Sequence, residues 1–416
     1  MTDPRAFLRQ LFDRAVEVAD PMRSLARALP EKPAGRVVVV GAGKASARMA
    51  EAVEAAWGPC EGLVITRYGY ARPCRGIEIV EAAHPIPDAA GVTATRRMLD
   101  LLETVGEGDF VLALISGGGS ALLAAPAGDI SLAEKRALTD ALLASGAPIG
   151  EINGIRKQIS AVKGGKLAAA AYPARMLALM ISDVPGDNPA DIASGPTVVD
   201  PGDAARARAA LARWKVTPPA TVEAYLERGG APLAPDDPRL SRVENVIYAA
   251  PAQSLAAAAA LAREAGCEVR NLDDALEGEA REVAAEQAAR ARAVQSALPA
   301  GAAPVLLLSG GELTVTRTGN GVGGPNAEFC LALALSLQGQ PGIHALACDT
   351  DGVDGAAEVA GAVIGPDTLA KAADAAQALA ANDAHGFFGR IGDQVVTGPT
   401  LTNVNDFRAI LIEPLT

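Results

Sequence analysis

Short segments with almost no polar side chains recur along this chain between longer alanine-rich stretches. They constrain its fold more than any other feature. Runs such as "VVVV", "FVLALI", "MLALMI" and "VLLL" place strands at Arg36–Gly41, Gly62–Thr66, Ile77–Glu81, Asp109–Ser116 and Met176–Ser182. A second set is expected at Glu244–Ala249, Glu268–Asn271, Pro304–Ser309, Leu313–Thr316, Ile343–Cys348 and Arg408–Glu413. A strand that is apolar on both sides must be covered on both sides, as in a parallel sheet with helical crossovers. At 416 residues the chain is too long for one ordinary core and suits two α/β domains. The segment "TPPATVEAYLERGGAPLAPDDPRLSR" (Thr217–Arg242) is rich in proline, glycine and charge. It puts the boundary near its end, giving domains of residues 1–240 and 241–416.

Charge and composition narrow the partners. The formal net charge is -12 and no Lys/Arg-rich run occurs, which argues against nucleic-acid and anionic-membrane partners. The five cysteines are scattered without C-x-x-C spacing, and the three histidines lie far apart. A disulfide framework and a histidine metal motif are therefore not expected, and a reducing cytoplasm fits best. The opening stretch "MTDPRAFLRQLFDRAVEVADP" is broken by charges and does not resemble a signal peptide. It reads as an amphipathic helix capped by Asp3, with Pro4 in its first turn and Phe7, Leu8, Leu11, Phe12 and Val16 on one face. No apolar run is long enough to span a bilayer. A soluble intracellular protein is expected, an anionic small substrate stays possible, and a homodimer stays open.

Several loops carry residues suited to chemistry. Gly41-Ala42-Gly43-Lys44-Ala45-Ser46 follows the first strand. It lacks the third glycine of a dinucleotide fingerprint, and the next strand ends at Arg67 without the ribose-binding acid. It also fails the P-loop pattern at Ala45. What it shares with both is a glycine turn at a helix start beside a cation, which suits an anion. Ser116-Gly117-Gly118-Gly119-Ser120 follows another buried strand, and three successive glycines suggest close approach of backbone to a carboxylate or phosphate. "EINGIRKQISAVKGGKLA" gathers Arg156, Lys157, Lys163 and Lys166; if it is helical, Arg156, Lys163 and Lys166 share a face. "ISDVPGDNPADIASGPT" sets Asp183 and Asp187 on a loop after a strand, where a general base or metal ligand could sit. "PVLLLSGGELTV" echoes "VLALISGGGSALL" and offers Ser309, Gly310, Gly311 and Glu312. "GNGVGGPNAEF" brings Asn326, and "CDTDGVDG" brings Asp349, Asp351 and Asp354 in a pattern that is not an EF-hand but suits Mg²⁺ held together with phosphates.

Taken in order, "VVVVGAGKAS", "ISGGGSALL", "INGIRKQISAVKGGKLA", "ISDVPGDNPADIASGPT", "LLSGGELTV", "GGPNAEF", "CDTDGVDG" and "TGPTLTNVND" resemble the glycerate 2-kinase family. Many of its members carry the older name hydroxypyruvate reductase. The resemblance runs through nearly the whole chain. It implies an N-terminal Rossmann-like α/β/α sandwich with a parallel sheet, a smaller C-terminal α/β domain and an active site in the interdomain cleft. It also implies transfer of the γ-phosphoryl group of ATP to the 2-hydroxyl of D-glycerate with Mg²⁺. On this reading Lys44, with Gly41 and Gly43, faces phosphate, and the family's catalytic lysine falls on Lys44. Ser116, Gly117, Gly118, Gly119 and Ser120, with Arg156 and Lys157, hold a carboxylate or phosphate. Ser309, Gly310, Gly311 and Asn326 belong to nucleotide binding, and Asp183 or Asp187 orients or deprotonates the acceptor. Glu312, Asp349, Asp351 and Asp354 surround the metal. One departure is Pro325, where the family commonly has arginine before the asparagine; Arg156, Lys157 or Arg317 would then supply the cation. The rival reading is an NAD(P)H-dependent hydroxypyruvate reductase, with Arg67 accepting a 2′-phosphate.

Overall fold

A computed structural model describes residues 3–415, which form two compact units. The first comprises Ser24–Ser182 and Asp187–Tyr248. The second comprises the described residues through Arg23, Asp183–Gly186 and the chain from Ala249 onward.

The first unit is built on β1 (Val37–Ala42), β2 (Glu61–Arg67), β3 (Ile77–Ala82), β4 (Phe110–Ile115), β5 (Arg175–Ile181) and β6 (Val243–Ala249). They form one sheet in the order β3-β2-β1-β4-β5-β6, and the neighbours among β1 to β5 pair in parallel. Every residue of β1 and β4 is buried, as their unbroken apolar sequences require. Helices Ser46–Trp57 and Ala89–Leu102 run between successive strands of this sheet. A satellite core joins helices Leu132–Ala144, Ile149–Gln158, Ala204–Arg213 and Ala220–Glu227 through Leu138, Leu142, Ile152, Ile155, Leu211 and Val222. The helix at Leu132 starts with a capping box: Ser131 and Glu134 satisfy each other's backbone N–H.

The second unit contains β7 (Glu268–Asp273), β8 (Gly278–Glu279), β9 (Val305–Ser309), β10 (Leu313–Thr314), β11 (Ile343–Asp349), β12 (Gly361–Ile364), β13 (Gln394–Val395) and β14 (Asp406–Ile412). Its main sheet has the order β13-β12-β11-β14-β9-β7, while β8 and β10 pair separately. Side-chain alternation divides two cores: Val305, Leu307, Ala345 and Ile410 face one, and Leu306, Leu308, Leu346 and Ala409 face the other. Helices Ala280–Ala297 and Pro325–Leu337 fill the first layer. Helices Pro4–Ala19 and Pro251–Glu264 fill the second. The N-terminal helix follows its sequence signals: Asp3 accepts from the Ala6 N–H, and Phe7, Leu8, Leu11 and Phe12 are buried.

A parallel sheet describes the first unit but not the second. There β11–β12, β11–β14, β12–β13 and β14–β9 are antiparallel, and only β7–β9 is parallel. After β11 the chain turns back through the loop 350–360 without a crossover helix, so an antiparallel neighbour is the only one it can reach. β12 and β13 are too short to register as apolar runs, and β10 ends two residues before the expected Thr316.

Candidate active site

In the first unit the carboxyl ends of β1 and β4 lie side by side, with Ala42 opposite Ile115. Ligands of parallel sheets gather at such ends. Gly43 is required here for packing, because a Cβ would overlap Ser116 Oγ and its φ is +148°. The turn's backbone donors are already engaged. Gly43 N donates to the Ile65 carbonyl (3.1 Å), Lys44 N to Gly117 (2.8 Å), Ser46 N to Gly43 (3.2 Å), and Ala45 N to Ser116 Oγ (3.1 Å). These N–H groups cannot cradle an anion as the sequence suggests. The half-buried Lys44 side chain is what the turn brings to one. Its stem borders Gly118 (φ +80°), whose missing Cβ would lie 3.1 Å from Lys44 Cγ and 3.2 Å from His84 Nε2. His84 therefore joins Lys44 at the glycine loop, a neighbour no sequence spacing indicates.

The same loop is anchored from below by cations. The Ser120 carbonyl accepts from Lys163 Nζ at 2.8 Å and from Arg156 Nη2 at 3.5 Å. Ser120 Oγ meets Ser194 Oγ at 2.7 Å in a turn where Ala193, Ser194 and Gly195 are all left-handed (φ 53°, 64° and 58°). Backbone strain of this kind concentrates at functional sites. The cations do not share one helix face. The helix ends at Gln158, and Gly164 and Gly165, both at positive φ, turn the chain before a new short helix at Lys166. Arg156 and Lys163 meet through this turn, whereas Lys166 donates to the carbonyls of Lys157 (3.1 Å) and Ser160 (2.6 Å). Lys157 pairs with Asp200 at 3.4 Å and Asp191 at 3.8 Å.

Lys135, from the helix Leu132–Ala144, completes the group and was not legible as a site residue. It is 2% exposed and its Nζ has no hydrogen-bond partner. Burial, with Arg156 adding repulsion, pushes its ammonium down to about 8. Burial also lowers Lys163 well below the usual lysine range, reinforced by Lys135, Arg156 and Lys157. The only sequence hint was spacing: Lys135, Leu138 and Leu142 fall on one buried helix face.

Of the two candidate bases, Asp183 belongs to the second unit, where Asn403 Nδ2 donates to its carboxylate (3.2 Å) and Asn405 Nδ2 to its carbonyl (3.1 Å). Asp187 belongs to the first unit at φ 52°, with Oδ1 buried and unpartnered.

The second unit's Ser309-Gly310-Gly311 turn sits on a buried ionic network. Arg408, fully buried in β14, donates to Asp406 (2.9 Å), to Ser309 Oγ (3.4 Å) and to the Gly310 carbonyl. Asn326 Nδ2 donates to Asp406 (2.7 Å). Burial pushes Asp406 up to about 6, opposed by Arg408 and by the Asn326 hydrogen bond. Asp354 accepts from the backbone N–H groups of Asn326 (3.0 Å) and Ala327 (2.8 Å) and contacts His385 Nε2 at 2.9 Å. It caps the helix Pro325–Leu337, in which Pro325 takes the first position, where a missing N–H is harmless. Asp349 stands half-buried at the end of β11 and accepts from the Asp351 N–H (2.9 Å); Asp351 accepts from Val353 (2.7 Å). Glu312 is exposed. Both carboxylate oxygens of Asp354 thus accept from the protein's own groups. Among the described residues, no three His, Cys, Asp or Glu side chains converge on one metal position.

Two grooves are lined by residues of the first unit. One of about 670 Å³ is lined by Phe110 and Arg175, the first residues of β4 and β5, and so lies at the amino ends of the strands. Another of about 430 Å³ is lined by Gln158, Asp200 and Arg206, beside Lys157 and its partner. No helix among the described residues is long and apolar enough to cross a membrane.

A family model described as a domain of unknown function (DUF4147) matches residues 7–227, and the MOFRL family model matches residues 305–406. The chain is 50% identical over 419 residues to a putative hydroxypyruvate reductase of Agrobacterium vitis, covering 98% of this chain and 94% of the relative. It is 36% identical over 416 residues to the D-glycerate 2-kinase of Thermotoga maritima, covering 98% of each. The crystal structure of the Thermotoga maritima glycerate kinase superposes with a TM-score of 0.87 at 35% identity, over 98% of this chain and 99% of that one. The chain belongs to the glycerate 2-kinase family, built of the DUF4147 and MOFRL domains.

Proposed function

We propose that the protein transfers the γ-phosphoryl group of ATP to the 2-hydroxyl of D-glycerate, giving 2-phosphoglycerate. The observation that carries this reading is end-to-end similarity to a protein named D-glycerate 2-kinase, together with a lysine held at the carboxyl end of a parallel strand beside a glycine loop. Phosphoryl transfer needs positioning and positive charge more than covalent help from the protein. Lys44 offers its ammonium to the transferring group, and His84 borders it. The Ser116–Ser120 loop, braced by Arg156 and Lys163, binds an anionic part of a substrate. Asp183 or Asp187 takes up the hydroxyl proton.

Mg²⁺, when bound with ATP, would neutralise charge on the phosphates. It commonly uses one or two carboxylates plus phosphate oxygens, and the two carboxylates at the end of β11 match that donor set. Asp349 and Asp351 are the residues assigned to it.

The name carried by the Agrobacterium vitis relative favours a second reading, hydroxypyruvate reduction with a nicotinamide cofactor. Two features weigh against it. β2 ends at Arg67, which hydrogen-bonds Tyr70, with no ribose-binding acid. The N–H groups of Gly43 to Ser46, which would meet a pyrophosphate, are spent on the protein.

The deciding assay incubates the protein with ATP, Mg²⁺ and D-glycerate and follows ADP. Hydroxypyruvate with NADH or NADPH is offered in parallel. ADP formation dependent on D-glycerate is expected; loss of nicotinamide absorbance without ADP would reverse the assignment.

A further inference from the structure

Lys135, Arg156 and Lys163 form an unusual group within the first unit. Their side chains come from three segments; Arg156 and Lys163 meet at the Ser120 carbonyl, and Lys135 lies close enough to repel both. Lys163 is fully buried, Lys135 is 2% exposed, and none of the three has a carboxylate within ion-pair distance. The nearby acids Asp191 and Asp200 are paired to Lys157. The donor count is equally lopsided. Two ammonium groups and a guanidinium share the Ser120 carbonyl and Asn153 Oδ1, while Lys135 Nζ and Arg156 Nε are buried with no partner. Buried charge without a counter-charge is among the most unfavourable arrangements a protein can hold, and ordinary cores avoid it. A cluster of this kind becomes reasonable when an anion completes it.

We infer that Lys135, Arg156 and Lys163 form a built site for a small oxyanion, entered past the half-buried Arg156 and Ser120. Three cationic groups fit a multi-oxygen anion such as a carboxylate or a phosphate. The carboxylate of a small hydroxy acid is the occupant assigned. The site stands on the geometry of this unit; only the choice of D-glycerate as probe rests on the kinase reading. Lys135 is the diagnostic residue, because its Nζ hydrogen-bonds no loop atom and the Ser120 carbonyl is held by Arg156 and Lys163 instead.

The test follows the thermal midpoint of the full-length protein without nucleotide. D-glycerate, glycerol or inorganic phosphate is added at constant ionic strength. D-glycerate at about 100 times its dissociation constant should raise Tm by about 3 °C, and glycerol should not. Lys135→Met should lose most of that response while melting no lower than the parent in the absence of anion, since it deletes an unpaired charge. Lys135→Arg should keep the response. A response to phosphate but not D-glycerate, lost in Lys135→Met, supports the oxyanion site and reassigns its source to phosphate. No anion response in the parent overturns the site, as does a response unchanged in Lys135→Met. Because no turnover is measured, failure here is separable from failure of the ADP assay.

Discussion

Two Ser-Gly-Gly turns, one in each unit, follow buried strands of similar sequence, yet their electrostatic settings are opposite. Beneath Ser116–Ser120 the cations outnumber the acids that could pair with them, and donors remain without acceptors. Beneath Ser309–Gly311 the single buried cation, Arg408, is matched by Asp406, and Asn326 and the Gly310 carbonyl close the network. The first arrangement lacks a counter-charge; in the second the charge is matched, and Asn326 Oδ1 is left buried without a partner. A shared motif thus marks a shared backbone shape, and the residues brought in by tertiary packing decide what charge lies beneath it.

The comparison can be attacked at several points. The largest effect is expected from Lys44→Ala, which removes the one cation carried by the first unit's glycine turn. It should lower kcat on the order of 10³-fold or more with the fold intact. Near-parental turnover in an ADP-coupled assay would remove Lys44 from the chemistry.

Next comes the braced turn. Asp406→Ala strands a buried guanidinium and should reduce unfolding free energy by about 3–5 kcal/mol in urea titrations. Asp406→Ala combined with Arg408→Met should recover most of the loss; a double variant as unstable as the single would mean that the pairing is not what matters.

The incomplete cluster has a pH signature. Lys135 is depressed to about 8 when folded, against an ordinary lysine value of 10.5. Between these values the unfolded chain binds a proton that the native chain has released. Stability contributed by this group therefore rises with pH across that window, by about 1.4 kcal/mol per pH unit at most. Lys135→Met should flatten the dependence of unfolding free energy on pH between 8 and 10.5, and an unaltered slope would count against the burial of the charge.

The smallest effect is expected at Asp3→Ala. It removes the N-cap of the first helix and should cost about 1 kcal/mol, read from the same denaturation curves.

Much of this architecture was legible in the sequence. β1 and β4 were placed to within one or two residues because an unbroken apolar run in a parallel sheet leaves little freedom. The first helix announced its cap, its proline and its buried face. The antiparallel half of the second sheet was not legible, since β12 and β13 are too short to form a pattern and their pairing depends on a loop that turns back. The loops holding the candidate residues were also recognisable, from glycine, serine and aspartate clusters. What those residues do to one another was hidden. Asp354 looked like a metal ligand and caps a helix whose start lies far from it in sequence, and His385 and Asp406 join it only through folding. Lys135 did not stand out, because nothing local distinguishes a lysine facing water from one facing other cations. Arg408 gave a faint signal, a lone charge inside the apolar run "FRAILI".

The packing of the first helix against Pro251–Glu264 sets a timetable for the newborn chain. Phe7, Leu8, Leu11 and Phe12 leave the ribosome well ahead of the surface that buries them, which is encoded beyond Ala249. At ordinary rates of synthesis that partner is roughly 10–50 s behind. For that interval the growing polypeptide carries an amphipathic helix with its apolar face uncovered. Chaperone capture of arrested nascent chains should therefore fall sharply once the second unit has emerged.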